Sequence, residues 1–255
     1  TEQVEENLKI FFPEARILRM DRDTLHGKHA LSKMHERIRK HEVDIVIGTQ
    51  LVTKGHDFPE VTLVGVIMSD LSLNIPDFRA SERTFQLLTQ VAGRAGRGHK
   101  PGEVLIQTHN PRHHSLLCAK EHNTAQFMEL ELERRLNLRM PPFHSLALIV
   151  CSSPHEGRAE KMTQAIYERI RTVISNTPRT TVMETVENDE TAAVKVIGPI
   201  EAPMKKLRNR FRWQLLLKAD NVRHLLHLLK HVFESSPSIK RDELVQIDVD
   251  PHHLL

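Results

Sequence analysis

The sequence predicts an α/β lobe with a parallel sheet, followed by a smaller α+β domain. Strand and helix signals alternate over the first 110 or so residues, which is the order expected of parallel strands joined by helices. Residues 44–49 form a near-continuous apolar run, which is typical of a strand buried on both faces. After residue 141 the order changes to β-α-β-β-α-β, which indicates an antiparallel sheet with helices on one face.

In the first part, helices are predicted where apolar residues recur every three or four positions, and strands where short apolar runs end in turn residues. Pro13 ends the first helix because proline cannot continue the hydrogen-bond ladder. Ligands of such a sheet bind at the carboxyl ends of its strands, where Asp21 and the loop after Thr49 fall. The predicted helices are 2–12, 28–41, 79–97 and 111–139, and the predicted strands are 15–20, 44–49, 61–67 and 103–108.

Met140-Pro141-Pro142-Phe143 interrupts the last of these helices, so we place a domain boundary between residues 1–140 and 141–255. The C-terminal domain is predicted to be ferredoxin-like, since its elements follow that order. Its predicted strands are 146–151, 191–197, 211–218 and 244–249, and its predicted helices are 156–174 and 222–233.

Composition narrows the class of protein. The 255 residues carry a formal net charge of +3, a mildly basic balance that is compatible with a nucleic-acid partner. The two distant cysteines, Cys118 and Cys151, argue against a disulfide scaffold and a cysteine zinc site and favour a reducing cytoplasm. No apolar run approaches about 18 residues, so no membrane span is expected. Thr1 leads straight into a charged helical pattern, which predicts a piece of a longer protein.

The most informative motif is the run Gln90-Val91-Ala92-Gly93-Arg94-Ala95-Gly96-Arg97-Gly98. On a helix Gln90, Arg94 and Arg97 share one face, and the two glycines keep that face open to a ligand. Guanidinium forks suit phosphate oxygens, so we predict a phosphate site. A solvated Gly-Arg loop remains the alternative for the run, and a structural ion pair remains the alternative for Arg94.

A second motif, Gly48-Thr49-Gln50-Leu51-Val52-Thr53-Lys54-Gly55-His56-Asp57, directly follows the buried strand. Its hydroxyl, amide and backbone N–H groups converge, so Thr49, Gln50 and Lys54 form a candidate cradle for a nucleic-acid backbone. An ordinary β-α connection with polar turn residues is the alternative. The two motifs together, about 35 residues apart, are more specific than either alone.

These runs resemble motifs V and VI of superfamily 2 helicases. Other segments extend the resemblance over essentially the whole chain, to the primosomal protein N′ (PriA) family of replication-restart helicases. That resemblance implies a RecA-like second motor lobe followed by the family's C-terminal domain. The segments concerned are Arg19–Thr24, Ile47–Gln50, Lys54–Pro59, Pro76–Ala80, Glu82–Leu88, Lys206–Arg208, Arg210, Arg212–Leu217 and Asp248–Pro251.

The resemblance also implies roles for single residues in ATP-driven, 3′→5′ translocation on DNA. Arg97 is expected to be the arginine finger, with Arg94 assisting it and Gln90 positioning water or relaying closure of the cleft. Gly55 and Asp57 are expected to face the nucleotide. Thr49, Gln50 and Lys54 are expected to hold the DNA backbone.

Several parts of that family do not occur in these 255 residues, namely the Gly-x-x-x-x-Gly-Lys-Ser/Thr loop, the Asp-Glu-x-His box and the paired Cys-x-x-Cys zinc module. The resemblance therefore implies that ATP and Mg2+ bind mainly to a first lobe outside the chain. It implies that the family's zinc has no ligands here, and that the chain alone is inactive as an ATPase. The implied partners are forked or single-stranded DNA, single-stranded-DNA-binding protein and primosome proteins, in the bacterial cytoplasm at the nucleoid.

Residues 205–212 contain five basic side chains in eight positions. If Arg208, Arg210 and Arg212 alternate along a strand, they face one side, while Phe211 and Trp213 face the core. We predict that the three arginines contact DNA; the alternative is a nucleic-acid-type fold whose arginines do not touch it. No metal site is predicted, because the adjacent histidine pairs at 113–114 and 252–253 lack a completing ligand set.

Three classes of function compete. The first is a part of an ATP-dependent helicase that restarts stalled replication forks and initiates primosome assembly. The second is a motor-less module that binds DNA or a partner. The third, a metabolic α/β enzyme with a regulatory domain, ranks last because no paired acid and base motif supports it.

Overall fold

The computed structural model describes residues 1–21, 30–49, 61–93, 101–176, 194–234 and 242–254. Contacts within the chain divide it into two units. Unit 1 comprises Thr1–Asn74 and Ser81–Phe127, and unit 2 comprises Ile75–Ala80 and Met128–Leu255. The loop Ile75–Ala80 therefore belongs with the C-terminal part of the chain, although it interrupts the N-terminal part in sequence.

The described part of unit 1 alternates helices and short strands, as the sequence predicts. Its elements are α1 (Glu2–Phe11), β1 (Ile17–Met20), α2 (Ala30–Arg39), β2 (Ile45–Gly48), β3 (Leu63–Val66), α3 (Asp70–Leu73), α4 (Ala80–Ala92, which begins in the loop of unit 2), β4 (Glu103–Ile106), α5 (His114–Lys120) and the start of α6 (Thr124–Asn137). Strands β1 and β2 pair in parallel, and so do β3 and β4. This pairing confirms the α/β class of the first part.

An exposed ion pair fixes the entrance to β1 and β2. The backbone N and the Nε of Arg16 both donate to Oδ2 of Asp44, at 2.8 and 2.9 Å, and Nη2 donates to Oδ1 at 2.7 Å. The hydrogen bonds from Arg16 hold the pKa of the Asp44 carboxyl well below its usual value, because they favour its charged form. The register places Met20 opposite Gly48, so Asp21 and Thr49 follow at neighbouring carboxyl ends, as predicted.

Helix α4 buries a stripe of side chains at helical spacing, Thr84, Phe85, Leu88 and Val91. The ring of Phe85 stacks on that of Phe127, with centroids 4.0 Å apart. The helix was predicted to run from 79 to 97. The structure describes it to Ala92, and Arg94–Arg97 lie outside the described residues.

The single helix predicted over 111–139 is wrong: the structure has two helices, α5 and α6, separated by a turn. His122 adopts a φ of 52° in that turn, a left-handed conformation that ends a right-handed helix. Asn123 then starts α6, because its Oδ1 accepts from the backbone N of Gln126 at 3.0 Å. Asn123 was a sequence signal for the start of α6, and a prediction based on periodicity alone does not use it.

Unit 2 contains one four-stranded antiparallel sheet with the predicted order of elements. They are β5 (Ser145–Ser153), α7 (Glu156–Asn176), β6 (Val194–Leu207), β7 (Arg210–Ala219), α8 (Val222–Glu234) and β8 (Leu244–Val249). The strands lie in the order β6-β7-β5-β8, so β5 is central and the last strand is an edge. The predicted antiparallel α+β architecture is confirmed.

The core of unit 2 forms where α7 and α8 contact the sheet. Alternate residues of β5 and β7 point into it, because successive side chains of a strand face opposite sides. Helices α7 and α8 add their buried stripes. The core includes Ala147, Ile149, Cys151, Ile170, Ile174, Val194, Leu215, Leu217, Leu225, Leu228 and Val232.

Gly198 occupies a position in β6 that only glycine fits. Its φ is +111°, and a Cβ added there would lie 2.7 Å from the backbone oxygen of Gln214. We expect Gly198→Ala to lower the free energy of unfolding by about 3 kcal/mol, because strain and overlap add. Chemical denaturation of the purified chain measures this change.

Gly157 provides the matched control, since a Cβ added there meets nothing within 4 Å and its φ is not left-handed. Gly157→Ala is expected to leave stability unchanged or to raise it by up to about 1 kcal/mol. Equal effects of the two substitutions would contradict the steric argument.

Candidate functional site

The structure describes part of the predicted phosphate and nucleic-acid site. Thr49 is exposed and follows the carboxyl end of β2, as expected. Gln90 is exposed near the end of α4, on the side away from its buried stripe. The other predicted residues of the two motifs lie outside the described residues: Gln50, Lys54, Gly55, Asp57, Arg94 and Arg97.

Gly93 follows the end of α4 and has room for a side chain. A Cβ added there would meet only the backbone oxygens of Thr89 and Gln90, at 3.5 and 3.7 Å, which are ordinary contacts. Folding of the described chain therefore does not require glycine at this position. The prediction that Gly93 keeps a face bare for a ligand therefore stays a prediction.

Asp21, at the carboxyl end of β1, takes part in a local network of charges. It is buried, and its Oδ2 accepts from Oγ1 of Thr1 at 2.8 Å and lies 3.0 Å from Nε of Arg19. Arg19 also reaches Glu2 and Glu5 of α1, at 3.1 and 3.5 Å. These contacts give Asp21 a structural role, because they tie α1 to β1.

The prediction that Arg208, Arg210 and Arg212 form one row along a strand is wrong. Arg208 and Asn209 form the two-residue turn between β6 and β7, and their φ values of 50° and 60° are those of a type I′ hairpin. Arg210 and Arg212 lie on β7 and share a face of it. The Asn at the second turn position was the available sequence signal, and it was missed.

The three arginines differ in what their guanidinium groups contact. Arg208 is exposed at the tip of the hairpin. Arg210 donates to the backbone oxygens of Ser152 and Asp242, at 2.9 and 2.8 Å, and to Oγ of Ser152 at 3.2 Å. Nη1 of Arg212 is buried and finds no hydrogen-bond acceptor among the described residues. Arg210 therefore ties the base of the hairpin to strand β5.

The lysines of the hairpin also differ. Lys205 lies 2.7 Å from Oε1 of Glu156 and 2.9 Å from Oε1 of Glu201, and these carboxylates raise its pKa above the usual value. The positive charge of Lys205 is thus paired with carboxylates of the same chain. Lys206 is exposed, with its Nζ 4.9 Å from the centroid of the Phe211 ring. The positive charge that the hairpin presents to solvent therefore comes mainly from Lys206 and Arg208.

Sequence reasoning did not anticipate a polar cluster that joins the loop Ile75–Ala80 to the last residues of unit 2. Oδ2 of the buried Asp77 accepts from the backbone N of Leu254 at 3.3 Å, and its Oδ1 accepts from the backbone N of Arg79 at 2.8 Å. Nη1 of Arg79 lies 3.0 Å from Nδ1 of His252. The cluster joins residues more than 170 positions apart, so no local pattern could have revealed it.

Two arginines enclose the aromatic ring of the same loop. The guanidinium carbons of Arg79 and Arg135 lie 5.2 and 5.4 Å from the centroid of the Phe78 ring. Nε of Arg135 is in turn 2.9 Å from Oε1 of the buried Glu131. Helix α6 and the C-terminal tail thus both hold the segment from which α4 starts.

Searches of known proteins match both parts of the chain. The profile of the helicase conserved C-terminal domain matches residues 1–99, and that of the primosomal protein N C-terminal domain matches residues 137–252. The replication restart protein PriA of Bacillus subtilis is 36% identical over 257 residues, covering 100% of this chain and 30% of the relative. Its counterpart in Synechocystis is 38% identical, covering 98% and 28%, and that in Haemophilus influenzae is 35% identical, covering 100% and 33%.

The chain therefore spans about 30% of the length of these relatives. Neither domain profile matches the stretch between residues 99 and 137. Contacts place the division of that stretch at Phe127/Met128, whereas the proline-rich break lies at 140/141. In the part of the chain that the structure describes, no helix is long and apolar enough to cross a membrane.

The contacts of Arg210 predict that it stabilises the hairpin. Arg210→Ala is expected to lower the free energy of unfolding by about 2 kcal/mol, because two backbone carbonyls lose a charged donor. Arg208→Ala, at the exposed tip two positions earlier, is the control and is expected to change stability by less than about 0.5 kcal/mol. Urea denaturation of both variants checks this, and an equal loss in both would contradict the assignment.

Proposed function

The chain belongs to the PriA family of replication restart proteins, and from this we propose that it supplies the second motor lobe and the C-terminal domain of an ATP-dependent 3′→5′ DNA helicase. The observation that carries the proposal is the match of both domain profiles, in this order, along one chain. We propose that the first unit is RecA-like and the second ferredoxin-like, with 140/141 as the boundary between the two domains. Restart of stalled forks would place the protein in the cytoplasm at the nucleoid.

The nucleotide would bind at the end of α4. The exposed side chain of Gln90 and the exposed position of Gly93 support this location. We propose that Arg97 and Arg94 reach the triphosphate from this side, with Gly55 and Asp57 facing it from the loop after β2. ATP with Mg2+ would supply the free energy of translocation, and its main cradle would come from a first lobe.

DNA would bind along the loop after β2 and at the basic hairpin. The exposed Thr49 supports the first contact, and we propose that Gln50 and Lys54 extend it. At the hairpin, the exposed Arg208 and Lys206 are the free positive charges that suit phosphate oxygens. We propose that Arg210 holds the base of the hairpin and that Arg212 lies beside the phosphate backbone of the bound DNA.

The remaining partners follow from the family. We propose that forked or single-stranded DNA, single-stranded-DNA-binding protein and primosome proteins act with the full-length protein. The family's zinc module uses paired Cys-x-x-Cys motifs, and the two cysteines of these 255 residues, Cys118 and Cys151, form no such motif and so do not fit it. A motor-less DNA-binding role is the second candidate, and the exposed basic hairpin is the observation that favours it.

The hairpin predicts salt-dependent binding of DNA by the isolated chain. With about four phosphate contacts, affinity for a forked duplex is expected to fall about a hundredfold between roughly 50 and 200 mM salt. Arg208→Ala should weaken binding and reduce the slope of log K against log salt by about 1, because one phosphate contact is lost. Fluorescence anisotropy measures both quantities.

Arg223→Ala is the control for this experiment, since Arg223 is an exposed arginine on α8, away from the hairpin. It is expected to leave the salt slope unchanged. DNA binding that does not respond to salt, or an equal effect of both substitutions, would count against the hairpin as the contact.

The motor assignment predicts that ATP hydrolysis depends on Arg97. When the chain is joined to a first motor lobe, Arg97→Ala is expected to lower kcat for DNA-stimulated hydrolysis by about 10³–10⁵, the usual contribution of an arginine finger. Arg112→Ala, at an exposed arginine outside both motifs, is the control and should retain full activity. Full activity of the Arg97 variant would remove Arg97 from the catalytic role.

A further inference from the structure

Helix α8 presents two histidines on its solvent side. Leu225, Leu228, Leu229 and Val232 bury the opposite side against the sheet. His227 and His231 are both exposed and lie four residues apart, which places them on the same face one turn from each other. Because the helix is held along its whole buried stripe, the two rings start from a fixed backbone spacing.

The ring nitrogens of the two histidines face each other. Nε2 of His227 lies 3.2 Å from Nε2 of His231, and the rings are nearly perpendicular, with centroids 4.4 Å apart. If a metal ion lay about 2.05 Å from each nitrogen, the N–metal–N angle would be about 103°, near the tetrahedral value. We propose that His227 and His231 form a two-point chelate for a first-row transition-metal ion that prefers imidazole, such as Zn2+, Ni2+ or Cu2+.

A carboxylate on the next turn supports this geometry. Oε2 of Glu234 lies 3.9 Å from Nδ1 of His231, which puts a negative charge close to the position of the proposed ion. Two cations share the helix with the pair: Arg223 lies one turn before His227, and Lys230 directly precedes His231. Nζ of Lys230 lies 3.5 Å from the other oxygen of Glu234, so that carboxylate partly offsets its repulsion of a metal ion.

The pair occupies two coordination positions of a tetrahedrally coordinated ion and leaves two for water or for another molecule. This agrees with the finding that the described residues contain no cluster of three or more metal ligands. The site differs from the zinc module of the family, because it uses two imidazoles on one helix rather than cysteines. It is also independent of the motor, since it needs neither nucleotide nor DNA.

The test is calorimetric titration of the 255-residue chain, purified without a polyhistidine tag, with Ni2+ and with Zn2+. The chain contains 17 histidines, so weak binding elsewhere must be separated from the chelate. His231→Ala is expected to weaken the tightest site about a hundredfold, because the second imidazole binds at high effective concentration. The same ions should raise the Tm of the unmodified chain and not that of the variant.

The matched control exchanges two neighbours, Leu226→His with His227→Leu. This variant keeps the number of histidines but places the pair five residues apart, on different faces of the helix. Leu226 is 51% exposed, so the exchange leaves the core untouched. Loss of the tight site in both variants supports the chelate. Binding within threefold of the unmodified chain in either variant, or no tight site in the unmodified chain, overturns it.

Discussion

Burial of strand β5 on both faces is the constraint on which the arrangement of unit 2 depends. One set of alternating side chains, which includes Ala147 and Ile149, enters the core under α7 and α8. The other set, which includes Leu146 and Leu148, is also at most 4% exposed. A strand that is apolar on both sides needs a layer of protein over each face, and a central position also pairs its backbone groups with a strand on either side. In the order β6-β7-β5-β8, strand β5 has this central position, between β7 and β8.

The two ends of β5 anchor the two features that reach outward from unit 2. At one end, Arg210 donates to the oxygens of Ser152 and so holds the base of the basic hairpin. At the other end, the backbone of Asp250 donates to Leu146, and its carboxylate accepts from the same residue. Asp250 starts the tail that reaches Asp77 through Leu254. One rigid strand thus fixes the positions of a candidate DNA contact and of the loop that precedes α4.

The parts of the fold that the sequence predicts are those governed by periodicity. The continuous apolar run in residues 146–151 and the helical spacing in 222–233 both match the structure closely, because burial of a strand on both faces and of a helix on one face dictates these patterns. Turns depend instead on single residues. The left-handed conformations of His122 and Asn209 end a helix and reverse a strand, and a reading based on apolar spacing passes over both. The interpretation of residues 208–212 was wrong for this reason alone.

The candidate site shows a different limit of prediction from sequence. Identity and spacing within two short runs led to the prediction of the residues around Gln90 and Thr49, and their role in binding phosphate stays a prediction. The cluster around Asp77 has no such local signature, since its partners Arg135 and Leu254 come from distant parts of the chain. Tertiary contacts of this kind follow from the folded backbone and not from a motif.

The cluster has a consequence for any division of the chain into independent pieces. A fragment that starts at residue 141 keeps the complete sheet but loses Arg135, Phe78 and Asp77, so the amide of Leu254 loses its carboxylate partner. A fragment that ends at residue 140 removes the donor Leu254 from the buried Asp77, whose Oδ1 still accepts from the backbone N of Arg79. The chain crosses between the units at 74/75, 80/81 and 127/128, so a cut at any single peptide bond divides at least one of them. The loop that precedes α4 is therefore held by residues at the far end of the sequence.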